Sequence, residues 1–338
     1  MLIAYALGTL IFPFSTVFTS HSIVASSIVI SFYYIQNQMK RKNQLKSLMI
    51  SFFFLGFAVL VEYQSFIFVL PLIFYLFYVL TKQSKKIYLK NLFFGILSFI
   101  VPVSLALIYN FLVTGSFLDI PYFHLPFFPE DYNKPKIERI NMNVVYKMLF
   151  SESHGFFVYS PFYLFYLFFI FSKKHKVEKI LFSSCFLIIL FFNAALADPV
   201  GACTFGIRRM IPAIPFIMFG IVFYFAENKN KILIYFMMLL VVVSIAINFL
   251  GAITNPFMCS GNPIGDAFNS FLEEKCWKNM FLPKISYEKQ NCSEEPSLLN
   301  PSSLSKVSIN LTKISLLNLI LLIVFCSIIY IAVKLKVF

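Results

Sequence analysis

Arg208 and Arg209 close the stretch Asp198-Pro-Val-Gly-Ala-Cys-Thr-Phe-Gly-Ile-Arg-Arg and open an apolar run containing Pro212 and Pro215. Gly201 and Gly206 permit tight backbone turns just ahead of them. A guanidinium at the mouth of a helix makes an anion site, because the charge and the helix N–H groups act together. Two readings fit the pair: anchors in lipid headgroups, or ligands for the phosphate of a lipid-linked substrate. The acids placed to take a proton near them are Asp119, Glu130, Asp131 and Asp198. Glu62 is the lone acid between 46 and 81, read either as a solvated hairpin tip or as a charge lining a cavity. Tyr109 and Asn110 lie near the end of another apolar run, with Gly115 as a helix-capping residue. Asn110 serves there either as an interhelical hydrogen-bond partner or as a ligand group lining a cavity.

The familiar signatures of soluble catalysis are missing from the chain. It has no Gly-rich phosphate loop, no Gly-x-Ser-x-Gly, no His-Glu-x-x-His and no Cys-x-x-Cys. The four histidines are scattered, so no metal site is expected.

These residues must be carried by a very apolar chain. Hydrophobic residues make up 59% of the 338 and charged residues 13%, against about 45–50% and about 25% in soluble domains. Forty-five phenylalanines and 18 tyrosines accompany one tryptophan. A soluble fold with so few charges would expose aggregating apolar patches. The chain therefore reads as an all-α integral membrane protein. Its formal charge of +13 is explained by topology rather than by nucleic acid, because the bases sit in clusters between apolar runs.

Ten runs approach the roughly 17–25 residues that span a bilayer: 2–18, 20–36, 46–62, 64–81, 91–113, 156–171, 180–197, 210–226, 232–251 and 313–334. Clusters at Lys40-Arg41-Lys42, Lys82 to Lys86, Lys173 to Lys176, Lys229 to Lys231 and Lys334 to Lys336 fall on alternate loops. With Lys46, Lys90 and Lys179 that side holds 16 of the 28 bases but only two of the 15 acids, Glu178 and Glu227. The positive-inside rule makes it cytoplasmic. Both termini are then cytoplasmic in a multi-pass protein of the cell membrane. Three regions result: a bundle over 1–251 that includes the outer loop 114–155, an extracytoplasmic region over 252–312, and a last helix with a short tail over 313–338. The first segment lacks a basic n-region and a cleavage site, so no removable signal peptide is expected.

Cys203, Cys259, Cys276 and Cys292 all fall on the outer, oxidising face, where one or two disulfides are expected with three pairings open. Cys185 and Cys326 lie inside apolar runs and pack as small residues. Asn291-Cys-Ser and Asn310-Leu-Thr are glycosylation sequons on the same outer face.

Five segments in order resemble one family. They are Leu7-Gly8-Thr9-Leu10-Ile11-Phe12-Pro13-Phe14-Ser15-Thr16 with His21, then Glu62-Tyr63, Tyr109-Asn110 with Gly115-Ser116, Tyr159-Ser160-Pro161-Phe162, and Thr204-Phe205-Gly206-Ile207-Arg208-Arg209 with Pro215-Phe216. Together they are similar to the polytopic GT-C glycosyltransferases, in the prokaryotic branch akin to protein O-mannosyltransferases, over roughly residues 1–250. The resemblance implies transfer of a sugar from a polyprenyl- or dolichyl-phosphate carrier to an extracytoplasmic acceptor. The lipid-linked sugar phosphate is then the donor, with no separate cofactor. Arg208 matches the arginine of the family's Phe-Gly-Pro-Arg pattern, with Ile207 replacing proline. His21 matches the histidine after the Phe-Pro-Tyr-Ser-type turn, with Phe14 replacing tyrosine. The resemblance thus implies Arg208, Arg209 and His21 around the donor phosphate. The family's acidic catalytic loop has no counterpart here, and the chain opens about where a third helix would stand. A separate N-terminal polypeptide is an expected partner on that account. The rival class is a non-catalytic membrane subunit or carrier-binding protein. A transporter is disfavoured by the lack of internal repeats.

The topology is testable by labelling single cysteines with an impermeant thiol reagent in intact cells, in a background without native cysteines. Lys284→Cys should react and Lys85→Cys should not; the reverse pattern would invert the orientation.

Overall fold

In a computed structural model, the described residues are 1–17, 19–39, 44–81, 85–121, 139–151, 153–196, 199, 204–254, 256–257 and 263–272. Among them the chain is helical and has no strand. The expected outer region 252–312 beyond residue 272 and the expected helix at 313–334 lie outside the described residues, as do residues 122–138 and 152 of the 114–155 loop.

The helices are α1 (Leu2–Leu7), α2 (Ile11–Ser15), α3 (Ser20–Met39), α4 (Gln44–Val61), α5 (Ser65–Leu80), α6 (Lys85–Thr114), α7 (Met142–Phe150), α8 (Phe156–Tyr159), α9 (Tyr166–Phe171), α10 (Lys176–Ala194), α11 (Ile214–Glu227), α12 (Lys231–Ile253) and α13 (Pro263–Leu272). Turns of 3₁₀ helix over Pro161–Phe165 and Arg208–Ala213 lead into α9 and α11. Among the described residues, four segments are long and apolar enough to cross a membrane: Leu89–Thr114, Lys176–Ala194, Arg208–Glu227 and Lys231–Ile253. Leu45–Val61, Ser65–Leu80 and Pro161–Phe171 are shorter apolar helices.

Two expected spans are broken, each for a local reason. The run 2–18 forms α1 and α2 rather than one helix. The Thr9 hydroxyl donates to the Tyr5 carbonyl at 2.7 Å and accepts from the Ile11 N–H at 3.2 Å, which gives the backbone an alternative to the helical ladder. The run 156–171 is interrupted at Ser160-Pro161, where proline starts a new turn and cannot donate to the old one.

Aromatic side chains fill the centre. Phe32 of α3 stacks on Phe219 of α11 at 4.3 Å and meets Phe182 of α10 edge-on at 5.2 Å. Between α3 and α4 the buried hydroxyls of Ser31 and Ser51 bond at 3.0 Å, the kind of small polar contact that joins helices in lipid. α6 packs chiefly on α4 and runs in the same direction, with Gly95 against Leu48 and Phe52 and Gly56 against Phe99 and Pro102. Its other side presents Phe93, Leu97, Ile100, Leu105 and Leu112 outward, a surface suited to hydrocarbon rather than to water.

Each end of the bundle has its own polar network. At one, the Gln36 side-chain amide donates to the Tyr75 hydroxyl at 3.3 Å, and Tyr75 donates to Glu178 at 2.9 Å. Beside it His175 Nε2 lies 3.0 Å from Glu227 and Lys174 lies 3.4 Å from the same carboxylate. The only two acids of the lysine-rich loops are therefore both engaged. The opposite end holds His21, Glu62, Asn110 and Arg208.

Gly56 sets the α4–α6 distance. A Cβ there would stand 2.5 Å from the Phe99 carbonyl oxygen and 2.8 Å from Pro102 Cγ. Gly56→Ala should separate the two helices and destabilise the fold by about 1–3 kcal/mol. Thermal melting in detergent checks this; an unchanged midpoint would show that α6 shifts freely.

Candidate functional site

The first turn of α3 brings His21 against the turn between α4 and α5. Its Nδ1 is 2.8 Å from Glu62 Oε2, with both side chains mostly buried (12% and 14% exposed). A carboxylate only accepts, so the network assigns the proton to His21 Nδ1. The second oxygen, Oε1, accepts from the Gln64 side-chain amide. Glu62 is thus a partnered charge at the end of the bundle, not a solvated hairpin tip.

The next residue extends the network to α6. Tyr63 donates to Asn110 Oδ1 at 2.6 Å, and Asn110 Nδ2 donates to the Phe117 carbonyl at 3.1 Å. Burial, and secondarily the nearby Tyr109, push the Tyr63 phenol above its ordinary range. Asn110 is 2% exposed, as a hydrogen-bonding partner between helices should be, whereas Tyr109 is 55% exposed. Gly115 takes φ +77° and its N–H bonds to the Phe111 carbonyl, capping α6. Asp119 follows, its carbonyl accepting from Thr114 at 3.3 Å.

Arg208 is set by a different group of contacts. The Phe205 N–H bonds to the Pro256 carbonyl at 2.8 Å, tying the segment before Arg208 to the chain beyond α12. Gly206 adopts φ +73° with Leu10 and Tyr159 packed against it, a position no side chain would fit without displacing them. Asn193 of α10 donates to the Arg209 carbonyl at 3.1 Å. The Arg208 guanidinium sits over the Phe257 ring, 5.4 Å from its centroid. Phe257 meets Phe14 edge-on at 5.9 Å, and the Phe14 carbonyl accepts from Thr19 at 3.0 Å, two residues before His21.

All five segments singled out in the sequence meet here. Besides the pairs above, Ser160 donates to the Gly8 carbonyl at 2.9 Å, and Tyr159 packs edge-on against Phe205 at 4.9 Å. Asn248 of α12 braces this junction through the Tyr159 carbonyl at 2.9 Å. Sequence reasoning missed Gln64, Phe257, Asn193 and Asn248. The two asparagines carry a signal, being amides in otherwise apolar helices; Phe257 is one of 45 phenylalanines and carries none.

Glu130, Asp131, Asp198, Cys203, Cys259, Cys276 and Cys292 lie outside the described residues. Cys185 is buried and free. Among the described residues no three His, Cys, Asp or Glu side chains gather as a metal site.

Fold and site define an all-α protein with several helices able to cross a membrane and a polar cluster at one end of them. Compared with known proteins, the chain matches no family model, no curated protein and no solved structure.

The Tyr63–Asn110 bond is measurable by a double-mutant cycle. Tyr63→Phe and Asn110→Ala should couple by about 0.6 kcal/mol, and at most about 1.7, the range for hydrogen bonds between membrane helices. Additive effects on unfolding in mixed micelles would show that the bond contributes nothing.

Proposed function

We propose that this chain is a membrane glycosyltransferase, or the C-terminal part of one, that moves a sugar from a polyprenyl- or dolichyl-phosphate donor to an extracytoplasmic acceptor. The observation that carries the reading is the convergence of the five segments on one end of an apolar helix bundle, with Arg208 and Arg209 among them. A lipid phosphate lies at the membrane surface with its tail in hydrocarbon. Cations at the end of an apolar bundle are placed to meet it. Arg208 then stabilises the charge that builds on the phosphate as the sugar departs, with Arg209 beside it among the lipid headgroups.

Ten crossings, the first made by a broken segment, belong to the same proposal, with 114–155 and 252–312 outside and both termini cytoplasmic in the cell membrane. The charge pattern supports that orientation. Lys174, His175 and Glu227 gather at the end away from Arg208, which leaves the arginine end outside.

Arg208 and Arg209 separate the phosphate-binding role from simple anchoring. A charge-assisted contact contributes about 1.5–3 kcal/mol, or about 10- to 150-fold in affinity. Lysine cannot reproduce bidentate guanidinium geometry. Arg208→Lys should therefore weaken binding of decaprenyl phosphate in nanodiscs at least several-fold, with Arg209→Lys close to wild type. Equal small effects from both substitutions would return the pair to headgroup anchoring. Mass spectrometry of host glycoconjugates with and without the gene tests transfer itself, and an unchanged profile would leave only a carrier-binding protein.

A further inference from the structure

We propose that His21, held by Glu62, is the base that deprotonates the acceptor hydroxyl. This rests on the proposed transfer reaction and supplies the proton acceptor that it needs. The Glu62 carboxylate fixes the Nδ1–H tautomer through the 2.8 Å bond, so the lone pair is on Nε2. Nε2 makes no hydrogen bond among the described residues. Glu62 is fixed in turn, since its other oxygen is bonded by Gln64. That chain of orientation (amide to carboxylate to imidazole) is how a histidine base is prepared when a third group holds it in place.

The same geometry argues against His21 as a phosphate ligand. A carboxylate in contact with the imidazole cancels the charge that an anion would seek. Arg208, by contrast, is charged at every physiological pH and lies over an aromatic face. The cluster is thus divided into a cationic half and a proton-accepting half. Phe14 joins them: its ring touches Phe257 beneath Arg208 and its carbonyl holds Thr19 beside His21. α3 also packs directly on the Arg208–Ala213 turn.

The step balances without any further reagent. The acceptor O–H bond breaks and its proton passes to His21 Nε2. The freed oxygen pair forms a bond to the sugar's anomeric carbon, and the bond from that carbon to the phosphate oxygen breaks. Its electron pair leaves with the carrier phosphate, facing Arg208. The Glu62 carboxylate stabilises the imidazolium until it releases the proton to water. Glu62 is accordingly a positioning residue.

The test compares wild type with His21→Ala, His21→Gln, Glu62→Gln and Glu62→Asp in host membranes. Transfer is read by mass spectrometry of the host glycoconjugates, and binding by decaprenyl phosphate in nanodiscs. A general base contributes about 10²–10⁴-fold, so both His21 variants should lose at least 100-fold of transfer while binding decaprenyl phosphate within twofold of wild type. Added imidazole should restore transfer to His21→Ala but not to His21→Gln, whose side chain fills the site. Glu62→Asp should keep more transfer than Glu62→Gln. Full transfer by His21→Ala, or loss of decaprenyl phosphate binding equal to the loss of transfer with no rescue by imidazole, would overturn the base. A wild type that binds decaprenyl phosphate but leaves the glycoconjugates unchanged overturns the transferase reading and the base with it.

Discussion

Polar groups in a chain this apolar must find partners inside the protein, because hydrocarbon offers none and an unmet donor or acceptor is costly there. Much of the architecture follows from that need. Ser160 reaches the Gly8 carbonyl exposed where α1 ends, and Asn248 covers the carbonyl left by Tyr159 where α8 ends. Ser31 and Ser51 satisfy each other across α3 and α4. Groups too polar to be met this way are sorted to the two ends of the bundle. The end with His21, Glu62 and Arg208 is therefore less a pocket cut into a fold than the place where the fold's surplus of polarity accumulates.

That sorting explains how the cluster holds charge while remaining largely sheltered. The His21–Glu62 pair is mostly buried, and such a pair rarely adds stability over apolar packing. Its geometry is nonetheless well determined from both sides. Arg208 achieves shelter differently, by lying on an aromatic ring. An acid beside an imidazole and a cation beside a ring create opposite local fields a short way apart along the same chain segment, residues 14–21.

Apolar runs were readable for α5, α6, α10 and α12 because each is continuous and bounded by charge or by a turn residue. The same logic overran at 2–18 and 156–171, where composition stays apolar through the breaks at Thr9 and Ser160. A hydroxyl that redirects one hydrogen bond has almost no weight in a hydropathy window. The polar residues of the site were visible as exceptions in apolar surroundings: Glu62, Asn110, Arg208. Their pairing was not. His21 and Glu62 are 41 positions apart, and Tyr63 and Asn110 are 47 apart. Only the packing of α3, α4 and α6 brings them together, and periodicity carries no information about which helices become neighbours.

α3 is fastened at both extremities. His21 bonds Glu62 beyond the end of α4, and Gln36, fifteen residues on and thus about 22 Å along the axis, bonds Tyr75 near the end of α5. Tyr75 continues to Glu178 at the start of α10. A helix pinned at two points so far apart cannot roll about its axis or slide without breaking a bond at each. In mechanical terms it is a tie rod, and the turn that carries Glu62 inherits its stiffness. Any rearrangement that opens the His21 end must therefore either unhook Gln36 from Tyr75 on the opposite face or bend α3 between them.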